Sequence, residues 1–523
     1  MTKICLINPP TTVHYIKETY FPMSLVCLGT ILKSCNFDTE IVDFDLELRK
    51  NPALTEWNRF KNYAIERLAT VGTKIFGISS ICSNFPITLL LSQEIKKKWP
   101  SSKIILGGPQ PSSVPEQTLK FCPWVDVIVI GEGETTLTEL AASNWSKQSL
   151  HNIDGIAFYH DDQVVRTKGR ELISDLDNLP LPDFSLLHMS EYFEFCPMAA
   201  FIEAGRGCPF LCSFCSTSIM WERKFRAKSP ERILQEMQVL NDRFGLTSFG
   251  LTHDNFTTSH RYVAEFCKFF EVNNKQKFSW LVSARTDTLN LERLRALKRA
   301  GCSGLFFGVD TGSTRIQDAI KKHLNLEQVK DFLKETISLG IKAITSFVLG
   351  FSEETEEDLN QTIYLALEAK LLGSSVIQLH RLAPLSGTSI CDQNTLLWDK
   401  GPTDQSINPI ECLEIETFIK SNPKLFSSFY SVPTPHLEHI NIAAFAVFYD
   451  EMINKMANIL QKLLLVAQLT PAQLFCKWMN WRSVSRPHEI IEGKFIADTL
   501  GQFINESFKE TRSQKRSPVT ASI

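Results

Sequence analysis

Gly205-Arg206-Gly207-Cys208-Pro209-Phe210-Leu211-Cys212-Ser213-Phe214-Cys215 sets three cysteines at Cys-x3-Cys-x2-Cys spacing on one short loop. Three thiolates so placed can ligate three irons of a 4Fe–4S cluster and leave the fourth iron open to a substrate-like ligand. Ferredoxin clusters take four cysteines, and no fourth lies nearby here. Cys196 is twelve residues before the group and Cys267 fifty-two after it. Zinc is the competing occupant, although it favours paired Cys-x2-Cys units and four protein ligands. Other cysteines, among them Cys5, Cys27, Cys122 and Cys267, stand singly in apolar runs and read as small buried hydrophobes. Fourteen cysteines in 523 residues are too few for a disulfide scaffold.

The loop follows an apolar run, 200–204, that opens a β/α series. Further strands are expected at 248–252, 279–284, 305–309, 344–349 and 376–379, with helical segments between them. One helix is expected at 230–244, with Ser229 as N-cap and Pro230 in its first turn; another at 291–300 stops at Gly301. Six strands alternating with helices over 198–385 predict a partial (β/α)6 barrel, with its chemistry at the carboxyl ends of the strands. Beyond residue 400, Phe445, Phe448, Met452, Met456, Leu460 and Leu463 recur at helical steps, which predicts an amphipathic helix over 441–465. Asp450, Glu451 and Lys455 argue against its spanning a membrane. Residues 386–507 read as mainly helical and 508–523 as a disordered tail.

Upstream of the loop, short apolar runs at 3–7, 40–43, 75–79, 104–106 and 127–130 alternate with helical stretches. They predict a doubly wound parallel sheet covered on both faces over 1–145. Two of these runs enter Gly107-Gly108-Pro109 and Gly131-Glu132-Gly133-Glu134, at the edge where such sheets bind ligands. Glycine there permits positive φ and close approach to a large ligand, and is equally compatible with plain tight turns. Residues 153–167 read as a hairpin turning at His160-Asp161-Asp162, and Leu179-Pro180-Leu181-Pro182 as a stiff connector; both fall in a linker, 146–197.

The composition excludes other classes. With 55 basic and 58 acidic residues the net charge is −3, so no global field draws nucleic acid. No uninterrupted apolar stretch reaches the ~20 residues of a membrane span. Ile4–Ile7 is too short for a signal-peptide core, and the expectation is a cytoplasmic protein.

The three-cysteine motif, with Phe214 just before its last cysteine, resembles the radical S-adenosylmethionine (SAM) superfamily. That resemblance implies that Cys208, Cys212 and Cys215 hold a 4Fe–4S cluster whose open iron chelates SAM. Cleavage of SAM then yields a 5′-deoxyadenosyl radical. It further implies SAM contacts from Phe214, Asp254, Ser283, Arg285, Asp310 and Phe351. Arg285 would pair with the SAM carboxylate, and Asp310 stands where the family commonly has Glu. The Gly350-Phe351-Ser352-Glu353-Glu354-Thr355 turn resembles the family's adenine-side Gly-x-x-x-Glu-Thr.

Five parallel strands ahead of such a barrel resemble the cobalamin-binding members. The pieces that carry this are Asn8, Pro9, Ser79, Ser80, Gly107, Gly108, Gly131, Glu132 and Gly133, which the resemblance makes cobalamin contacts. It also implies that the dimethylbenzimidazole tail enters the sheet edge. The Asp-x-His-x-x-Gly motif that supplies a His to cobalt elsewhere is missing, and no histidine lies between His14 and His151.

The resulting expectation is a cobalamin-dependent radical SAM enzyme that methylates an unactivated carbon of a natural product, peptide, tetrapyrrole or lipid. A flavodoxin- or ferredoxin-type donor would supply electrons. The alternatives are radical rearrangement or cyclisation without methyl transfer, a methylthiotransferase carrying a second cluster, and a non-enzymatic cofactor sensor.

Overall fold

The computed structural model describes residues 2–11, 20–195, 199–398, 413–486 and 493–507. The expected tail at 508–523, Cys196 and His14 lie outside them. The chain forms two compact units. The first comprises Met1–Ser283, Arg299–Cys302 and Ala383–Ser431; the second comprises Ala284–Lys298, Ser303–Leu382 and Val432–Ile523.

The first unit opens with β1 (Lys3–Asn8), β2 (Asp38–Asp43), β3 (Ile75–Ser79), β4 (Lys103–Gly107) and β5 (Val127–Val129), followed by β6 (Ile156–His160) and β7 (Gln163–Arg166). They make one seven-stranded sheet ordered β2-β1-β3-β4-β5-β6-β7. β1 to β5 pair in parallel, and their interior residues are almost all buried, as expected of strands covered on both faces. The strand order reverses between β1 and β3, which opens a crevice at the carboxyl edge. Register brings Asn8 level with Asp43, and Ser79 level with Gly107, at that edge. β6 pairs antiparallel with β5, so the hairpin extends the same sheet. Its two turn residues, Asp161 and Asp162, both have positive φ, the backbone twist that suits a two-residue hairpin.

The same unit carries β8 (Ala199–Glu203), β9 (Gly205–Arg206), β10 (Arg226–Ala227), β11 (Ser248–Thr252) and β12 (Ser279–Ala284). β11 pairs in parallel with β8 on one side and β12 on the other, and β9 pairs antiparallel with β10. The helix Pro230–Phe244 begins where Ser229 Oγ accepts the Arg232 N–H and ends at Gly245 in the left-handed region. Part of the C-terminal region also belongs here. Gln110 Nε2 donates to the Leu425 carbonyl at 3.0 Å, and Phe85 packs on Phe426, in one core with Ile415 and Ile419.

The second unit holds β13 (Cys302–Asp310), β14 (Lys342–Leu349) and β15 (Val376–Arg381), again parallel. Each unit thus supplies three parallel strands to the β/α series. The helix Glu356–Leu372 starts on a reciprocal cap between Thr355 and Asp358. The predicted amphipathic helix is Ile442–Ala467, kinked at Met456. Its polar residues have a structural use. Asn454 exchanges hydrogen bonds with the Ile377 backbone, and Asp450 accepts from Leu379 N–H, so the helix covers the edge of β15. Among the described residues no single helix is long and apolar enough to cross a membrane. The chain is α/β: a parallel sheet first, a β/α series next, and a mainly helical C-terminus.

Candidate active site

β8 leads into the cysteine loop, and the backbone before Cys208 is tightly packed. Gly207 has φ +94°, and a Cβ on it would stand 2.0 Å from the Lys224 carbonyl oxygen. Its N–H donates to Asp254 Oδ2 at 2.6 Å. Burial raises the pKa of Asp254. This residue, expected to meet SAM, therefore holds the loop's entry through at least one of its oxygens. Neighbouring His253 is 6% exposed, stacks on Phe225 and accepts the Asn255 N–H at Nδ1. Burial pushes its pKa down to about 4, so the ring is neutral.

Within the loop, Cys215 N–H donates to the Cys212 carbonyl at 3.2 Å. Ser389 Oγ donates to the Ser213 carbonyl at 3.1 Å. Cys208, Cys212, Phe214 and Cys215 are all half-buried. Among the described residues no three His, Cys, Asp or Glu side chains converge on one ion. A 4Fe–4S cluster asks for no such convergence, since each thiolate takes a different iron; the half-buried three-thiol loop suits that donor set.

At the edge of the N-terminal sheet a cavity of about 420 Å3 is lined by Ser79, Gly107, Gly108, Gly131, Glu132 and Gly133, six of the nine expected cobalamin contacts. Its floor is apolar: Leu6, Ile78, Ile105 and Val129 from the strands, Leu25 and Leu28 from the helix Met23–Ser34. Arg206, Met220 and Trp221, which flank the cysteine loop in sequence, complete the lining. A second cavity of about 590 Å3 shares Ile81, Pro109, Gly131, Glu132 and Met220 with the first and adds Gln110, Ser112, Arg166, Thr167 and Arg170. A flat heteroaromatic tail suits the first, and an amide-fringed macrocycle suits the second, whose lining is the more polar of the two. Neither lining includes a histidine.

Of the other three expected contacts, two have internal partners. Asn8 Nδ2 donates to Asp43 Oδ1 at 2.8 Å, and Ser80 Oγ donates to Asn84 Oδ1 at 2.8 Å. Pro9 is buried outside both linings. Gly108 is needed by the protein itself. With φ +96°, its Cβ would meet the Ser80 carbonyl oxygen at 2.6 Å.

In the second unit, Arg285 presents its fork to Asp287, with Nε–Oδ1 3.0 Å and Nη2–Oδ2 2.8 Å; Nη2 also donates to the Lys322 carbonyl. Asp310 adopts φ +68° and is ion-paired to Lys322, both side chains 8% exposed. Sequence reasoning missed Asp287 and Lys322, which already engage the two groups expected to meet SAM. Phe351 is fully buried in this unit, and Ser283 of the first unit is half-buried on β12.

A cluster of buried charge was also missed. Arg206 is ringed by three carboxylates: Glu132 at 2.5 Å, Glu134 at 2.6 Å and Glu203 at 2.7 Å. Arg226 reaches Glu132 at 2.8 Å and donates to the Ile173 carbonyl. The other oxygen of Glu132 accepts the Ile173 N–H at 2.6 Å. Trp221 lies under both guanidinium groups, 5.8 and 5.5 Å from their carbons. Glu132 is thus committed to protein partners through both oxygens. The available signal was acids inside a glycine turn and arginines flanking the cysteines.

A family model of the radical SAM superfamily matches residues 202–366, and one of the B12-binding domain matches 11–141. The chain is a radical SAM enzyme with a B12-binding domain. An uncharacterised methyltransferase of Pyrococcus horikoshii is 28% identical over 444 residues, covering 82% of this chain and 93% of the relative. The cytidylyl-2-hydroxyethylphosphonate methyltransferase of Streptomyces wedmorensis is 25% identical, covering 74% and 80%. Among solved structures, the radical SAM methyltransferase TsrM of Kitasatospora setae has a TM-score of 0.68 at 17% identity, covering 88% and 90%. The cobalamin-dependent radical enzyme OxsB has a TM-score of 0.69 at 16% identity, covering 99% and 81%. At such identities these two establish the fold. The radical SAM enzyme's cofactors are a 4Fe–4S cluster, SAM and cobalamin.

Proposed function

We propose that this enzyme transfers the methyl group of SAM to an unactivated carbon of a small molecule or peptide, with cobalamin as methyl carrier and a flavodoxin- or ferredoxin-type protein as electron donor. The observation that carries the reading is one cavity lined both by the glycine turns of the N-terminal sheet and by Arg206, Met220 and Trp221 beside the cysteine loop. The carrier's tail would then lie against residues that flank the cluster loop, and the second cavity, which shares Met220 with the first, would take its macrocycle. When bound, the cofactors supply radical formation and methyl transfer; the chain supplies binding, orientation and exclusion of water.

Cys208, Cys212 and Cys215 would hold the cluster, which supplies the electron for SAM cleavage when bound. Asp254 holds Gly207, and so the entry to the loop, in place. Gly131 and Gly133 present backbone to the cavity on either side of Glu132. Leu6, Leu25, Leu28, Ile78 and Ile105 give the cavity an apolar floor. Relatives named as methyltransferases, including a hopanoid C-2 methylase of Rhodopseudomonas palustris at 25% identity over 49% of this chain, support methyl transfer. The second reading is radical cyclisation. It is favoured by the anaerobic magnesium-protoporphyrin IX monomethyl ester cyclase of Cereibacter sphaeroides, 26% identical over 60% of this chain and 52% of the relative.

The test uses full-length protein reconstituted anaerobically with iron, sulfide and hydroxocobalamin. It is reduced and incubated with CD3-labelled SAM and a small-molecule extract of cells lacking the gene. Methyl transfer gives a product carrying CD3, with S-adenosylhomocysteine and 5′-deoxyadenosine in about equal amounts. Deoxyadenosine with an unlabelled product establishes cyclisation or rearrangement instead.

A further inference from the structure

Glu132 and Arg206 lie 74 residues apart in sequence, in the first unit, and form the shortest link of a five-residue buried cluster. Glu132 and Glu134 belong to the turn whose glycines line the cavity; Arg206 is two residues before Cys208. The side chains of Arg206, Glu132, Glu134 and Arg226 are all at least nine-tenths buried. Formal charges within the cluster are three negative and two positive. Ion pairs in so dry a setting depend steeply on distance, because little solvent screens them. Arg226 Nε and Nη2 are buried without hydrogen-bond partners, a cost the cluster carries to keep this arrangement.

The linkage from the turn to the cysteines is stiff at each step. Arg206 pairs with Arg226 across β9 and β10. Gly205 and Gly207 have no room for a Cβ, with backbone oxygens of Arg226 and Lys224 only 2.3 and 2.0 Å from where it would stand. Gly207 N–H is fixed by Asp254. A displacement of the 131–134 turn therefore moves Arg206, and Arg206 cannot move without moving Cys208.

We propose that Glu132 and Arg206 are positioning residues that couple the two cofactor sites, so that cobalamin at the sheet edge and the cluster on the cysteine loop tighten each other's binding. The inference rests on the cofactor assignment above but not on methyl transfer. Coupling between sites is reciprocal and typically amounts to ~5- to ~150-fold in affinity. Its readout is the dissociation constant of hydroxocobalamin, followed by visible absorbance, on full-length protein with and without its reconstituted cluster.

Wild-type protein is expected to bind at least ~5-fold more tightly when the cluster is present. Arg206→Lys keeps the charge but loses the three-way fork, and is expected to bring the ratio close to one while both cofactors still bind. Glu134→Gln removes one of the three carboxylates, is the milder variant should Arg206→Lys misfold, and is expected to lower the ratio part-way. Circular dichroism checks both folds. A wild-type ratio near one overturns the proposal, and so does an unchanged ratio in the folded variants. Failure of wild-type protein to bind hydroxocobalamin at all would strike the cofactor assignment itself.

Discussion

Glu354 offers a direct reading of how burial sets charge in the second unit. Its side chain has no exposed surface; one oxygen accepts the Gly350 N–H at 2.6 Å and the other has no partner. Burial is the dominant cause that raises its pKa from 4.5 to about 8, with the Gly350 and Phe351 N–H groups and Arg315 opposing it and Asp358 adding to it. The folded state therefore keeps a proton that the unfolded chain releases. Where the unfolded state binds fewer protons, stability falls as pH rises. The loss begins near pH 4.5, runs at about 1.4 kcal/mol per pH unit, and ends near pH 8, about 5 kcal/mol in all. Glu354→Gln imitates the protonated form, keeps an acceptor for Gly350 and does not titrate. Thermal unfolding of wild-type and variant cofactor-free protein, followed by circular dichroism, gives the difference between them at each pH and cancels the other titrating groups. Near pH 4 the two are expected to be close. By about pH 7 the variant should be ahead by about 3 kcal/mol, and above about pH 8 the gap should stop growing. A gap independent of pH, or one that closes as pH rises, would refute the argument that this carboxyl is folded neutral.

Cys212→Ala should abolish SAM cleavage and remove the cluster's visible absorbance after reconstitution; tightly bound zinc and no iron in the wild-type protein would count against the cluster. Gly77→Val, in the middle of β3, would press on Leu6, whose Cδ2 is 3.1 Å from the new Cβ, and intrude on the cavity. It should cost about 1–3 kcal/mol by overpacking and weaken hydroxocobalamin binding by more than tenfold, read by absorbance titration. The reduced cobalamin form of the full-length enzyme should show no nitrogen splitting from a protein imidazole in its EPR spectrum, since neither cavity lining includes a histidine.

Much of the architecture was legible from local signals. Continuous apolar runs marked β1 to β5, and Ser229-Pro230 marked the start of a helix, because burial of a strand on both faces and helix capping leave short-range traces. The cysteine spacing, the glycine turns and the missing histidine were likewise readable, since each depends on a few adjacent residues. What stayed hidden depends on residues far apart in the chain. Glu132 reads as a ligand contact, and it does line both cavities, but only the fold shows that Arg206 and Arg226, 74 and 94 positions away, also take up its charge. Lys322 occupies Asp310 from 12 positions away, across the Thr314–Ala319 helix. The segment Ala383–Ser431 shows in sequence no preference for the N-terminal sheet, yet Phe426 and Leu425 pack there. Composition and periodicity record which face of an element is apolar. Only tertiary structure selects the partner, because a buried charge must find its counter-charge wherever the topology delivers one.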